Sequence, residues 1–485
     1  MKLLVILCHL LVLQCMISAV LGVRPGHLSA HSMIIQQQEA NGVFFDAAAP
    51  DQYFNQYVDH FDDRDARLTF KQRYWVNDTM YQAGGPIFML VGGEAPSSSK
   101  EVAGYFWIND LAERYHGAVV SVEHRFYGES QPFTRITTDK LALLSSAQAL
   151  EDFAVFASEF PSQFTKFAGS EWVSVGGSYS GSLAAWLRTK YPHIFKAALA
   201  ESAPLEALDD FTAYFKTVQD TLGTTCAEVV RAIYDESVWC FQTAGDECTL
   251  PENLSPLIGW DAMVELDFAS YMSAMTDVVA NTVQYDKDHP GRLTVETLCS
   301  ELTAASQVGT SELHAMFAEL NGLTGPVDAD FESDAAVLRT HAPGDAGQAW
   351  MWQCCNEFAF FQTSSKASYV LLPDGSITLD YYHRLCEAGF GIDSANVAAR
   401  VAETNVHYGA RNIVSSNIAF LTNSEDPWHN LAVEGSAAGC RNCVVHQTPG
   451  HAHCASMYAP RASDDAALKT ARKLQVAMLD SIFGQ

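Results

Sequence analysis

Short apolar runs that alternate with helix-like segments constrain the fold of this chain more than any other feature of its sequence. Runs of strand length lie at residues 86–91, 118–122 and 172–175, and nearly all of their side chains are apolar. Between the second and third run, residues 145–160 place apolar side chains at helical spacing. Strands that are apolar on both faces are typical of a parallel sheet covered by helices on both sides. We therefore predict an α/β fold.

The middle of the chain follows a different pattern. Residues 205–404 show mainly helical spacing, broken by turns that contain glycine and proline, and strand-like runs return at 418–421 and 443–446. Seven of the ten cysteines beyond residue 22 also lie between residues 226 and 386. A helical unit inserted into the α/β domain explains both observations. The predicted division is residues 44–204 for the first part of the α/β domain, 205–404 for a helical cap and 405–485 for the second part.

The N-terminus indicates where the protein works. A basic start at Lys2, an apolar run over residues 3–13 and small residues up to Gly22 predict a signal peptide over residues 1–22. The apolar run is short for a membrane span, so we expect no membrane anchor. The predicted location is therefore outside the cell or in a lysosomal or vacuolar lumen.

The cysteines fit such a location. Ten remain beyond the signal peptide, and an even number in a secreted chain predicts disulfide bonds. Cys440 and Cys443 form a Cys-x-x-Cys sequence, which a redox pair or half of a zinc site would also show. No second such sequence and no histidine pair stands at zinc spacing, so we interpret it as a structural bridge and predict no metal site. Asn77 begins an Asn-Asp-Thr sequon and is the predicted glycosylation site.

The chain is strongly acidic, with 29 Lys and Arg residues against 57 Asp and Glu residues and a formal net charge of −28. Binding to nucleic acid requires Lys and Arg clustered at the phosphates, and docking on anionic lipid also requires basic clusters. We therefore expect neither nucleic acid nor an anionic membrane surface as a partner.

Ser178 stands in the sequence Gly-Gly-Ser-Tyr-Ser-Gly, residues 176–181, after a predicted strand and before a predicted helix. A nucleophilic serine on such a turn requires small neighbours, because the backbone there is strained and closely packed. The sequence departs from Gly-x-Ser-x-Gly at Ser180, although serine is also small. An ordinary glycine-rich turn remains the alternative for this motif taken alone.

Two later residues complete a catalytic constellation with Ser178. Asp426 follows the strand-like run at 418–421, and His453 lies in the loop after the next run. The chain order Ser, Asp, His is that of the α/β-hydrolase sheet, and open α/β sheets place their sites at the ends of strands. A serine hydroxyl needs a base, and the base needs an orienting carboxylate. We predict Ser178 as nucleophile, His453 as base and Asp426 as the orienting carboxylate.

Several motifs together make the chain similar to the S28 family of serine peptidases. They extend from residue 55 to residue 454, over most of the sequence beyond the signal peptide. The matching stretches are residues 55–61, 72–77, 85–94, 123–128, 176–181, 426–428 and 452–454. The resemblance implies an α/β-hydrolase fold with a mainly helical cap domain inserted between the nucleophile half and the Asp/His half.

The resemblance also implies roles for individual residues. It places the triad on Ser178, Asp426 and His453. His453 is preferred over His451 because the family motif has a small residue, the histidine and one more residue before an acidic or polar position. Residues 123–125, with the sequence Glu-His-Arg, are expected to support the site through hydrogen bonds.

The expected substrate contacts follow from the same resemblance. The backbone amides of Tyr179 and of Gly93 or Glu94 would form the oxyanion hole, and Trp428 would line an apolar S1 pocket suited to a proline ring. The implied activity is that of an exopeptidase that forms an acyl-enzyme, often after a penultimate proline. No cofactor is required, peptide substrates are the expected partners, and a homodimer is left open.

Two other functions stay open at this point. A secreted esterase or lipase would use the same triad on esters, since one fold hosts many reactions. A catalytically silent binding protein is the other alternative, although an intact set of Ser, Asp and His argues against it.

Overall fold

The computed structural model describes residues 30–40, 49–63, 67–287, 293–340, 342–364 and 370–484. The predicted signal peptide, residues 1–22, lies outside these ranges. Within the ranges, every helix is too short or too polar to cross a lipid bilayer.

One sheet of eight strands forms the centre of the described chain. The strands are β1 Gln52–Tyr57, β2 Thr69–Asn77, β3 Ile87–Val91, β4 Ala118–Val122, β5 Trp172–Gly177, β6 Phe195–Glu201, β7 Ile418–Asn423 and β8 Val444–Thr448. Their order across the sheet is β1-β2-β4-β3-β5-β6-β7-β8. β2 pairs antiparallel with β1 and with β4, and every neighbouring pair from β4 across to β8 is parallel. This is the strand order of the α/β-hydrolase fold, so the predicted fold class is confirmed.

Helices flank the sheet and fill the segment between β6 and β7. The helices before β6 are α1 Ala30–Ala40, α2 Trp107–Arg114, α3 Thr138–Leu141, α4 Ser146–Gln163 and α5 Tyr179–Lys190. Those between β6 and β7 are α6 Ala213–Leu222, α7 Thr224–Gln242, α8 Glu265–Gln284, α9 Val295–Val308, α10 Thr310–Leu320, α11 Phe331–Thr340, α12 Ala346–Gln353, α13 Leu379–Phe390 and α14 Ser394–Tyr408. The last helix is α15 Ala466–Phe483. Short strands pair Leu208–Asp210 with Ala359–Phe361 and Ser415–Ser416 with Cys440–Arg441.

The central strands are buried on both faces, as their apolar sequences predict. Every residue of β3 and β4 is buried. Alternate residues of β3 enter different hydrophobic clusters, with Ile87 and Met89 on one face and Phe88 and Leu90 on the other. Residues of α4 and α5 belong to the first cluster, and residues of α2 and α15 to the second. The sheet is therefore the middle layer of three.

Strands β1 and β2 are not among the strands that the hydropathy pattern predicts. They carry Gln56 and Gln72, and both side chains are fully buried. Gln56 Nε2 donates to Gln72 Oε1 at 3.0 Å and to the backbone oxygen of Asp152 at 2.9 Å. Buried polar groups are tolerated when they are hydrogen-bonded in this way, and a hydropathy pattern does not register the pairing.

In the described part of residues 205–404, the regular elements are helices and two short strands, joined by turns and loops. Its disulfide bonds are Cys226–Cys299, Cys240–Cys248 and Cys355–Cys386. Cys440 and Cys443 also form a disulfide, so the structural bridge predicted there is confirmed. The even count did not mean that all ten cysteines pair. Cys354 and Cys454 are free thiols, because they are buried in two different hydrophobic clusters.

A buried ion pair joins the end of β4 to α4. Arg125 Nε donates to Asp152 Oδ2 and Arg125 Nη2 donates to Asp152 Oδ1, each at 2.6 Å, and both side chains are fully buried. His60 Nε2 lies 2.7 Å from the same carboxylate. Burial raises the pKa of Asp152, but the charge of Arg125 outweighs it and holds the pKa below its ordinary value. The carboxylate therefore stays charged inside the protein.

Replacing Arg125 by methionine should lower the free energy of unfolding by about 3–5 kcal/mol, because the Asp152 carboxylate stays buried without its cation. Urea unfolding followed by circular dichroism measures the change. Arg384→Met is the matched control, since Arg384 is 56% exposed and pairs with Glu387 on the surface. Such a pair contributes about 0–1 kcal/mol. An equal loss in the two variants would contradict the importance assigned to the buried pair.

Candidate active site

Ser178 lies on a sharp turn between the last residue of β5 and the first residue of α5. Its backbone has φ 61° and ψ −136°, a region that residues with a side chain rarely adopt. The Ser178 amide donates to the Glu201 backbone oxygen at 3.0 Å and so fixes the turn to the end of β6. Such a turn exposes the hydroxyl at the edge of the sheet where the parallel strands end.

The turn packs directly against the loop that carries His453. A Cβ atom added to Gly177 would lie 2.7 Å from Cys454 Sγ and 2.4 Å from Met457 Sδ. Gly177 and Cys454 are the chain neighbours of Ser178 and His453. The two loops therefore approach each other as closely as a glycine permits.

Asp426 and His453 form a buried hydrogen-bonded pair. Asp426 follows β7, and its Oδ1 atom lies 2.9 Å from His453 Nδ1. Both side chains are at most 1% exposed. The same Asp426 oxygen accepts the Trp428 backbone amide at 3.0 Å, which fixes the carboxylate. His451, the other histidine of the loop, lies instead 3.2 Å from Asp465.

The free nitrogen of His453 is available for proton transfer. Among the described residues, His453 Nε2 has no hydrogen-bond partner, so no hydrogen bond joins it to Ser178. Such a bond is often long in an unliganded site and shortens when substrate binds. The arrangement brings together all three residues of the predicted triad, with Asp426 and His453 in direct contact.

Burial alone would lower the pKa of His453, but the charge of Asp426, the neighbouring Cys454 thiol and the hydrogen bonds to both residues outweigh burial. The pKa is therefore raised well above its ordinary value. The protonated ring is favoured in the folded protein. Its contribution to stability is present below a pH of about 6.5 and is lost as the pH rises through the raised pKa.

The predicted oxyanion residues lie beside the nucleophile turn. Tyr179 is the first residue of α5, so its amide has no partner within the helix. A Cβ atom added to Gly93 would lie 3.2 Å from Ser180 Cβ, which places the Gly93–Glu94 backbone against the same turn. Glu94 is 4% exposed. The structure thus brings the three predicted residues to one side of Ser178.

Aromatic rings surround Trp428, the predicted S1 residue. Its indole centroid lies 5.6 Å from Phe211, 5.6 Å from Tyr214 and 5.5 Å from Phe360. The indole Nε1 atom donates to Gln284 Oε1 at 3.0 Å. A half-buried indole in such surroundings offers a flat apolar surface to a small ring.

Of the Glu-His-Arg sequence, His124 contacts the residue that follows the proposed nucleophile. His124 Nε2 lies 3.2 Å from the Tyr179 hydroxyl, and its Nδ1 lies 2.7 Å from the Arg125 backbone oxygen. Gln353 extends this buried network, because its Nε2 donates to Tyr179 at 2.8 Å and its Oε1 accepts from Tyr127 at 2.6 Å. The residue after the nucleophile is therefore held from both sides.

Several supporting residues were not identified from the sequence. Ser202 Oγ accepts the Cys454 amide at 2.9 Å, and Glu201 accepts the Ser456 amide at 3.3 Å, so the end of β6 holds the histidine loop. Gln284 and Gln353 contact the site from segment 205–404. Glu201 and Ser202 lie at the end of β6, and no motif in the sequence marks them. The two glutamines have no motif around them.

The predicted glycosylation residue can be located. Asn77 is half-buried at the end of β2, and its Nδ2 donates to the Val102 backbone oxygen at 2.8 Å. Among the residues that the structure describes, no group of three or more His, Cys, Asp or Glu side chains is arranged to hold a metal ion.

Comparison with known proteins gives the family. A match to the family described as "Serine carboxypeptidase S28" covers residues 56–475. The chain belongs to the S28 family of serine peptidases. It is therefore a serine-type peptidase, which is a class of hydrolase.

Individual relatives agree with this family. The mouse thymus-specific serine protease is 32% identical over 88% of this chain and 86% of its own length. The human thymus-specific serine protease is 31% identical over 92% of this chain and 90% of its own length. The mouse lysosomal Pro-X carboxypeptidase is 29% identical over 87% of both chains. A proline iminopeptidase structure from Mycobacterium smegmatis covers 88% of this chain and 100% of its own, with 12% identity and a TM-score of 0.40.

The raised pKa of His453 predicts the pH dependence of activity. The base must be neutral to accept a proton, so kcat/KM should rise with pH along an acid limb centred above about 6.5. Asp426→Asn removes the charge that raises the pKa, so the limb should move to lower pH while activity falls by about 10⁴. The rate at which a fluorophosphonate labels Ser178, measured across pH, checks both effects. A limb that stays in place in Asp426→Asn would contradict the role of the carboxylate.

Proposed function

We propose that this chain is a secreted or lysosomal exopeptidase that cleaves peptides at prolyl bonds with a triad of Ser178, His453 and Asp426. The observation that carries the proposal is the buried hydrogen bond between His453 and Asp426, in a loop packed against the strained turn of Ser178. Support for the prolyl bond comes from the aromatic surroundings of Trp428 and from the similarity to a lysosomal Pro-X carboxypeptidase.

The proposed reaction begins with attack of Ser178 Oγ on the carbonyl carbon of the peptide bond. The hydroxyl proton passes to His453 Nε2, while Asp426 orients the ring and stabilises its protonated form. The amides of Tyr179 and of Gly93 or Glu94 donate to the oxyanion that develops. Each such donor typically contributes a factor of about 10²–10³ in rate.

The second half of the reaction releases the product. His453 returns its proton to the leaving amine, which breaks the peptide bond and leaves an acyl-enzyme on Ser178. Water then attacks the ester, with His453 again as base, and the free serine is restored. All groups needed for these steps are side chains or amides of the chain itself.

We also propose that segment 205–404 is a cap that closes over the site. The segment contributes Gln284 and Gln353, which contact residues next to the proposed triad. Residues 44–204 and 405–485 would then be the two parts of the hydrolase domain. This division matches the point where the chain leaves the sheet after β6 and returns to it at β7.

The pKa of His453 decides in which of the two compartments the proposed base would be neutral and active. A raised pKa leaves less neutral base in an acidic lumen than at the neutral pH outside the cell. An acid limb well above 6.5 therefore favours a secreted enzyme, and a limb near 5 favours a lysosomal one. The disulfide bonds fit either compartment, because neither one exposes the protein to the reducing thiols of the cytosol.

Ser178→Ala should fold normally and lose about 10⁶ in kcat, because the nucleophile is removed and the turn keeps its backbone. The test is a digest of a mixed peptide library, read by mass spectrometry, with wild type and variant in parallel. The proposal predicts Ser178-dependent products shortened at one end, with proline at the cleaved position. Cleavage that persists in Ser178→Ala, or cleavage within peptides, would contradict it.

Asn77 is the proposed glycosylation site. A glycan on Nδ2 leaves one hydrogen on that nitrogen, so the bond to Val102 can persist. Secreted wild type should lose mass on treatment with an N-glycosidase, whereas Asn77→Gln should not. A glycosidase-sensitive mass in Asn77→Gln would assign the glycan to another residue.

A further inference from the structure

Gln284, the last residue of α8, contacts two parts of the proposed site at once. Its backbone oxygen accepts the His453 amide at 2.9 Å. Its side-chain Oε1 accepts the Trp428 indole N–H at 3.0 Å and the Tyr214 hydroxyl at 2.7 Å. One residue of the cap thereby joins the loop of the proposed base to the proposed S1 residue.

The side-chain contacts lie where water is largely excluded. Gln284 is 9% exposed and Tyr214 is 4% exposed. Phe211 and Phe360 occupy other sides of the Trp428 ring. Loss of the Gln284 acceptor would leave an indole N–H and a hydroxyl without their partner in this environment, which is unfavourable for both groups. The acceptor therefore fixes the orientation of the indole plane.

The residue that follows Gln284 contacts the proposed base itself. The ring of Tyr285 lies edge-on to the imidazole of His453, with centroids 5.9 Å apart and an interplanar angle of 83°. Tyr285 is 8% exposed. The end of α8 thus packs against the base loop through its backbone and an aromatic ring, and the Gln284 side chain, which is also hydrogen-bonded to Tyr285, contacts Trp428.

We propose that Gln284 is a positioning residue that determines prolyl selectivity by orienting Trp428. The inference rests on the proposed function, because it assumes that Trp428 lines the S1 pocket. A rotated indole would lose its contact with the proline ring of the substrate. A substrate with a smaller side chain before the scissile bond depends on that contact much less. The backbone bond to His453 is independent of the side chain at position 284, so the base should stay in place.

The test variant is Gln284→Met, which keeps the length of the side chain and removes the acceptor. Wild type and variant are compared on two peptides that differ in proline or alanine before the scissile bond. For the proline peptide, kcat/KM should fall about ten- to hundredfold, the range expected from one unpaired buried donor. For the alanine peptide it should fall by less than about threefold. Fluorophosphonate labelling of Ser178 should also stay within about threefold, since this reagent does not need the indole.

Two further variants separate positioning from a structural effect. Gln284→Glu keeps an acceptor oxygen at the same reach and should retain the proline-to-alanine ratio of the wild type. Gln475→Met is the matched control, because Gln475 Oε1 accepts the Trp107 indole N–H at 2.9 Å and is 3% exposed on α15. It should lower the melting temperature to a similar extent and leave the ratio unchanged. If Gln284→Met does not fold, Gln284→Asn withdraws the acceptor by one methylene and should give the same loss of ratio.

The outcomes distinguish the inference from the function on which it rests. An unchanged ratio in a folded Gln284→Met or Gln284→Asn variant overturns the inference, and so does an equal loss on both peptides. The proposed function would still stand in either case, because wild-type cleavage would depend on Ser178. Absence of Ser178-dependent cleavage in the wild type would instead overturn the proposed function itself.

Discussion

The closest approach in the proposed site is the contact between the turn of Ser178 and the loop of His453. There is no space for a side chain at Gly177, because Cys454 and Met457 occupy it. Gly176 is equally confined, since an added Cβ would lie 2.2 Å from the Ser180 backbone oxygen. The residues on both sides of this contact are buried, so the contact also determines how closely the end of β5 approaches the loop after β8. The strained backbone of Ser178 is stabilised by this surrounding structure.

The end of β6 completes that arrangement. Glu201 binds the Ser178 amide through its backbone and the histidine loop through its carboxylate, and Ser202 binds the Cys454 amide. The end of β6 thereby holds both the nucleophile turn and the base loop at one edge of the sheet. The buried Arg125–Asp152 pair stabilises the adjoining region behind β4. Sites at the ends of packed elements hold their side chains more precisely than sites on exposed loops.

The insertion between β6 and β7 contributes to the same constellation. Gln353 binds the Tyr179 hydroxyl, and Gln284 binds the Trp428 indole together with the His453 amide. A segment that differs from the sheet in its helix content and cysteine distribution therefore supplies hydrogen bonds to both halves of the hydrolase domain. Buried polar contacts of the insertion thereby reach both the proposed base loop and the proposed S1 residue.

Local patterns in the sequence were sufficient to predict the strands that are apolar on both faces, the helical segment between β6 and β7, and the turn around Ser178. Those patterns depend on neighbouring residues, such as the glycines of residues 176–181, so the sequence displays them directly. Strands β1 and β2 were not predicted, because their buried residues Gln56 and Gln72 are polar. These two side chains are hydrogen-bonded to each other between the strands, and a hydropathy pattern does not register that bond. The free thiols of Cys354 and Cys454 were not predicted either, because the number of cysteines does not show how far apart they lie in the fold.

The sequence by itself therefore determined the fold class and the family, and it supplied the candidates for the catalytic residues, since each depends on short motifs in a fixed order. Only the tertiary structure decided that His453 contacts Asp426 while His451 contacts Asp465, which cysteines pair, and that Gln284 and Gln353 contact residues of the proposed site. The physical reason is separation along the chain. Gln284 and Trp428 are 144 residues apart, and such a hydrogen bond exists only after the sheet and the insertion have packed together.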